Sequence, residues 1–149
     1  YKVRTETELL ADFWESAQQY DTFVTFNGRQ FDVPFLLLRS VACAVVPTVE
    51  LATKRYLSQQ QVPYHVDLQD ELSFYGATRR SPLHLYCRAF SIDSPKEAVS
   101  GEDVAALFAA GQYLDIARYN AHDVVATTAL YQKWLQYLAP RRFVNTSIQ

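Results

Sequence analysis

The 149-residue sequence predicts an α/β layer fold, and three observations carry that expectation. A helix with a capping signal leads into a short β-branched and aromatic strand, Phe23-Val24-Thr25-Phe26. The strand stops at a tight Asn27-Gly28 turn. The turn opens at once into a second helix with Pro34 in its first turn. Helix, strand, turn and helix in such short order form the unit from which helices layered on a sheet are built.

The first helix is expected from about Glu6 to Tyr20. Thr5 and Glu8 stand at capping-box spacing, and Leu9, Phe13 and Ala17 share one face before Asp21-Thr22 breaks the pattern. Phe23 to Phe26 is apolar enough for a central strand rather than an edge. Asn27-Gly28 could close a hairpin. The run Val33-Pro34-Phe35-Leu36-Leu37-Leu38-Arg39 instead reads as a helix start. Val49 to Tyr56 fits either a short strand or a helical turn, and Ser58-Gln59-Gln60-Gln61 is a polar loop. Tyr64 to Leu68 reads as another strand, leading into a helix through Phe74 that ends at Gly76. Arg79-Arg80-Ser81-Pro82 is a loop, Leu83 to Phe90 a short helix and Ser94-Pro95-Lys96 a turn. Ser100 to Asp103 caps a helix that reaches Ala110 and stops at Gly111. The last helix runs from about Leu114 to Leu138, ahead of Pro140 and a frayed tail.

Composition narrows the function classes. Apolar residues at 49% and charged residues at 20% are ordinary for a globular domain and exclude disorder. No apolar run, Val33 to Leu38 included, approaches the ~18 residues needed to span a bilayer, so no membrane partner is expected. No secretory signal is visible at the N-terminus. Cys43 and Cys87 form no CxxC pair, so both are expected to be small buried thiols, with the cytoplasm as the default compartment. A net charge of −2 argues against a protein that coats nucleic acid through a broad basic surface. The chain contains no methionine, so Tyr1 is expected not to be the natural translation start.

Two constellations carry chemistry. On a wheel of about 100° per residue, the last helix has an apolar stripe of Ile116, Thr127, Leu130, Trp134 and Leu138, with Asp123 in the middle of it. Tyr119 lies one turn earlier on the same side. An unpaired carboxylate facing a core costs several kcal/mol, so Asp123 needs a cation, a buried Arg or a hydrogen bond from a neighbouring helix. His122 beside it has no partner at a metal-ligand spacing and reads as a residue of the helix rim. The second constellation is Asn27-Gly28-Arg29-Gln30-Phe31-Asp32, just after a strand and at the start of a helix, where open α/β sheets bind ligands. Asp32 there is either a site carboxylate or the N-cap of the helix carrying Pro34. Phe31 is either a nucleotide contact or a plain core aromatic.

Together these residues resemble a known family. Asn27-x-x-x-Phe31-Asp32 is similar to the second exonuclease motif of the proofreading domain in family B DNA polymerases. Tyr119-x-x-x-Asp123 is similar to the third motif of the DEDDy class of RNase H-like, DnaQ-like exonucleases. Their order and their separation of about ninety residues also fit. The resemblance extends through Tyr64-His65-Val66-Asp67-Leu68, Ser94-Pro95-Lys96 and Gly111, as in stand-alone proteins described as predicted 3′→5′ exonucleases related to the polymerase domain.

The resemblance implies an RNase H-like mixed sheet flanked by helices. It implies a 3′→5′ exonuclease domain over residues 1–149 that releases nucleoside monophosphates from single-stranded DNA 3′ ends, with RNA left open. Two Mg²⁺ or Mn²⁺ ions about 4 Å apart would be held by four carboxylates, with Asp32 and Asp123 as two of the ligands. Tyr119 would orient the attacking water. Asn27, Phe31 and Lys96 would touch the substrate, and Arg79-Arg80 could meet phosphates. The histidine variant of the class would carry its histidine at position 118, where this chain has Arg118. The family's first motif, Asp-x-Glu on the first strand, has no counterpart here. Glu6-Thr7-Glu8 has the spacing but opens a helix. The first strands are therefore expected to be missing, and the partial domain to be inactive by itself. The alternative is a catalytically inactive RNase H-like nucleic-acid-binding module.

Overall fold

The structure is a computed structural model that describes residues 4–52, 64–93 and 101–139. It divides into two compact units, Tyr1–Asp67 and Leu68–Gln149.

The first unit begins with α1 (Glu6–Ala17), where Thr5 and Glu8 make the expected capping box: the Thr5 hydroxyl accepts the Glu8 N–H while the Glu8 carboxylate accepts the Thr5 N–H. The buried face is Leu10, Trp14 and Ala17, one position on from the expected stripe. Leu9 is exposed and Phe13 half-buried. Trp14 decides the rotation. Its indole is the largest fully buried side chain among the described residues, and its Nε1–H donates to the Ser40 hydroxyl at 2.8 Å. Burying a large ring with its one donor satisfied outweighs burying Leu9.

β1 (Thr22–Thr25) follows, then α2 (Asp32–Ala42), then β2 (Tyr64–Asp67). β1 and β2 pair in parallel, Thr22 opposite Tyr64 through Thr25 opposite Asp67. A parallel pair needs a crossover, and α2 lies on that connection. The α/β class stands. Among the described residues the sheet is this parallel pair, with β1 hydrogen-bonded on one side. The core joins Trp14 and Ala17 of α1 to Val33 and Leu51, with Phe13, Phe23, Leu36 and Leu37 packed on them. Cys43 is half-buried rather than buried. Val49 to Ala52 form neither strand nor helix, and the rest of that segment lies outside the described residues, as does the Ser94-Pro95-Lys96 turn.

The second unit is helical: α3 (Leu68–Leu72), α4 (Leu83–Ala89), α5 (Gly101–Ala109) and α6 (Tyr113–Tyr137). α3 is shorter than expected, because the chain turns through Phe74 and Tyr75, both left-handed, before Gly76. The long helix α6 packs against α3, α4 and α5. Its buried residues are Ala126, Leu130 and Trp134, and the stripe ends a turn early, with Leu138 exposed. No helix among the described residues is long and apolar enough to cross a membrane.

Candidate active site

The strand register sets the first half of the site. Thr25 and Asp67 lie side by side at the carboxyl ends of both strands, where ligands meet parallel sheets. The chain leaves β1 through Phe26 and reverses at Asn27, whose φ of 66° falls in the left-handed region that asparagine tolerates. The next residue has to be glycine, since a Cβ on Gly28 would lie 2.4 Å from the Thr25 Cβ. Asp67 then holds the turn from beneath. Its two carboxylate oxygens accept the backbone N–H groups of Asn27 and Arg29, each at 2.9 Å. The Arg29 guanidinium donates to the His65 carbonyl.

The far side of the turn runs directly into α2. The Asn27 carbonyl accepts the N–H groups of Gln30 and Phe31, and the Gly28 carbonyl accepts that of Val33 at 2.8 Å. Phe31 occupies the N-cap position with no side-chain cap, so Asp32 is the first helical residue and does not cap α2. Its exposed carboxylate sits at the helix N-terminus, where the backbone dipole favours negative charge. Phe31 is not a core aromatic. Its ring is 65% exposed and stacks parallel to Phe35, centroids 6.4 Å apart. Asn27 is half-buried.

His65 supports the same turn. Its Nδ1 faces the Leu51 carbonyl at 3.2 Å and its Nε2 the Thr25 hydroxyl at 2.8 Å. A carbonyl can only accept, so Nδ1 carries the proton and Nε2 accepts from Thr25. Burial holds the imidazole below its usual pKa, and the nearby Arg29 charge adds to that. Neither His65 nor Asp67 stood out as a site residue in the sequence. The available signal was a polar pair at i and i+2 in a short strand, a spacing that puts both side chains on one face of the sheet.

In the second unit, α6 brings Tyr119 and Asp123 together one turn apart. The Tyr119 hydroxyl hydrogen-bonds the half-buried Asp123 carboxylate. Loss of water pushes the Asp123 carboxyl above the usual range, against the Tyr119 hydrogen bond and the charge of His122, which lower it. Burial and the Asp123 charge raise the Tyr119 phenol in turn, so it stays protonated as a donor. Cys87 of α4 is fully buried, its thiol raised first by burial and then by the Asp123 charge. The Tyr119 hydrogen bond, from the same helix, offsets only part of that loss of water. His122 is exposed, as expected of a rim residue, and Arg118 pairs with Asp115 at 3.2 Å.

The sequence profile of a family described as "predicted 3′-5′ exonuclease related to the exonuclease domain of PolB" matches residues 2–141. The chain belongs to this family. It is also similar to DNA polymerase 1 of Saccharolobus solfataricus, 26% identical over 138 residues covering 87% of this chain and 15% of the polymerase. The DNA polymerase of Desulfurococcus sp. (strain Tok) is 28% identical over 145 residues, 86% of this chain and 18% of the polymerase. DNA polymerase 1 of Sulfolobus acidocaldarius is 28% identical over 130 residues, 85% and 15% respectively. The chain therefore spans less than a fifth of the length of these relatives.

Within this exonuclease-family chain, Asn27, Phe31 and Asp32 share one turn of the first unit, and Tyr119 and Asp123 share one helix of the second. Lys96 lies outside the described residues. Arg80 is paired with Asp70 at 2.6 Å and Arg79 is exposed. Glu6 binds Arg39 through both oxygens and Glu8 closes the helix cap, so the acidic pair of α1 is already engaged. Asp32 and Asp123 fit Mg²⁺ or Mn²⁺ in kind, being hard oxygen donors. No group of three His, Cys, Asp or Glu side chains gathers among the described residues.

Proposed function

We propose that this chain forms, over its whole length, part of a metal-dependent 3′→5′ exonuclease domain that releases nucleoside monophosphates from single-stranded DNA. The observation that carries this reading is the Tyr119–Asp123 pair. A phenol kept protonated and a carboxylate kept partly out of water stand one helical turn apart, within a chain of the exonuclease family.

Asp32 and Asp123 would each give carboxylate oxygens to Mg²⁺ or Mn²⁺, with the other ligands coming from water, substrate phosphate and further carboxylates of the full protein. Such ions lower the pKa of a bound water and balance the charge that builds on the leaving 3′ oxygen. Tyr119, a neutral donor and acceptor, orients the attacking water by its hydroxyl. Asn27 presents its amide at the rim of the turn to the terminal nucleotide. Phe31 offers an exposed ring to a base or sugar, a contact worth about 1–3 kcal/mol per stacked base. Lys96 would meet the phosphate backbone.

Tyr119→Phe in the full-length gene product tests this reading. With Mg²⁺ or Mn²⁺, turnover of a 5′-labelled single strand should fall about 100-fold while binding of the strand is nearly unchanged, because the hydroxyl acts mainly in the transition state. Unchanged turnover with weaker binding would make Tyr119 a substrate contact. A wild-type protein that binds single strands without shortening them would be an inactive binding module.

A further inference from the structure

We infer that Asp67 is a positioning residue of this site, presetting the Asn27–Asp32 turn without being a metal ligand itself; the inference rests on the exonuclease reading above. Asp67 is only 2% exposed, yet both of its oxygens are used on the turn, one by the Asn27 N–H and one by the Arg29 N–H, each at 2.9 Å. These two amides flank Gly28, whose carbonyl accepts the Val33 N–H in the first turn of α2. One buried carboxylate thereby fixes the left-handed Asn27, the close approach of Gly28 to Thr25 and the entry into the helix that begins with Asp32.

Direction follows from the donor set. Both oxygens accept backbone N–H groups of the turn, charge-assisted hydrogen bonds that fix its geometry. A cation on the same oxygens would compete with those amides for one carboxylate, and at 2% exposure Asp67 offers it little open approach. Asp67 therefore works through Asn27 and Asp32, at the end of β2 and directly beside the end of β1.

The substitution that tests this is Asp67→Asn, which keeps the shape but turns one acceptor into a donor facing an N–H. In the full-length protein acting on a 5′-labelled single strand, kcat should fall about 10- to 100-fold with KM within about twofold, as expected when a reacting group is misplaced by about an ångström. A variant that folds and keeps the wild-type kcat would overturn the inference. The amide protons of Asn27 and Arg29 in the wild-type protein give a second measurement that needs no variant. Slow hydrogen exchange and downfield shifts support the clamp, and exchange at exposed-loop rates overturns it. A wild-type protein with no nuclease activity would refute the exonuclease reading instead, and the same two amides would still decide whether Asp67 sets the turn.

Discussion

The turn that carries Asp32 and the helical turn that carries Asp123 hold their carboxylates by different means. Asp32 depends on contacts made across long stretches of sequence: Asp67 on the amides of Asn27 and Arg29, the Arg29 guanidinium on the His65 carbonyl, and His65 between Thr25 and Leu51. Asp123 depends on helix periodicity, with Tyr119 four residues before it on the same face. Distributed support makes the first place sensitive to changes far from Asp32. Local support makes the second sensitive to little beyond its own helix.

The largest effect should come from the core beneath the first place. Trp14→Ala leaves a cavity among Ala17, Val33 and Leu51 and removes the indole donor from the Ser40 hydroxyl, which keeps only its bond to the Leu36 carbonyl. It should cost about 3–5 kcal/mol in urea unfolding. A loss under about 1 kcal/mol would mean that α1 does not brace α2. Gly28→Ala acts closer in. The added methyl meets the Thr25 side chain at 2.4 Å and forces the turn open. The expected loss is about 1–3 kcal/mol, and a neutral result would show that the turn yields easily.

A pH measurement separates the two places further. Folded His65 resists protonation because it is buried and faces Arg29, against the smaller opposing pull of Asp67 and the Leu51 carbonyl. Unfolded histidine titrates near 6.5. Its contribution to stability is thus fully present above about pH 6.5, where both states are neutral. It is lost as pH falls toward the depressed folded pKa, since the unfolded chain then binds the extra proton, at up to about 1.4 kcal/mol per pH unit. His65→Gln should flatten this part of the stability curve between pH 7.5 and 5.5. Parallel curves for the two proteins would remove His65 from the account. The smallest effect is local to the second place: Tyr119→Phe should raise the Asp123 pKa further, by removing the hydrogen bond that lowers it. Carboxyl-carbon NMR titration reads that shift directly.

The same contrast explains what was legible in the sequence. The Tyr119–Asp123 pair could be read because four-residue spacing on a helix fixes which side chains meet. The Thr5–Glu8 cap and the strand–turn–helix around Asn27 could be read because turn and cap chemistry is local. The rotation of α1 could not, because Leu9 and Leu10 are equivalent by periodicity and only the hydrogen bond from Trp14 to Ser40, 26 residues away, separates them. Asp32 as an N-cap was a fair local expectation, overturned because the turn carries Phe31 into the cap position. Asp67 and His65 were missed as site residues for the same reason. Their partners lie about forty residues away in sequence and meet them only through the parallel pairing of β1 and β2.

The central claim is that Asp32 and Asp123 serve one metal-dependent reaction although they are held so differently. It is tested most directly by a double-mutant comparison of Asp32→Ala, Asp123→Ala and the double variant in the full-length protein. The substrate is a 5′-labelled single strand with Mg²⁺ or Mn²⁺, and a chelator serves as control. Stepwise shortening from the 3′ end is expected for the wild type and should vanish with the chelator. Each single variant should lose about 1,000-fold or more in turnover, with the double variant scarcely worse than either, because groups that act as one unit are not additive. Single variants that shorten the strand at the wild-type rate, or losses that simply multiply in the double variant, would contradict the claim.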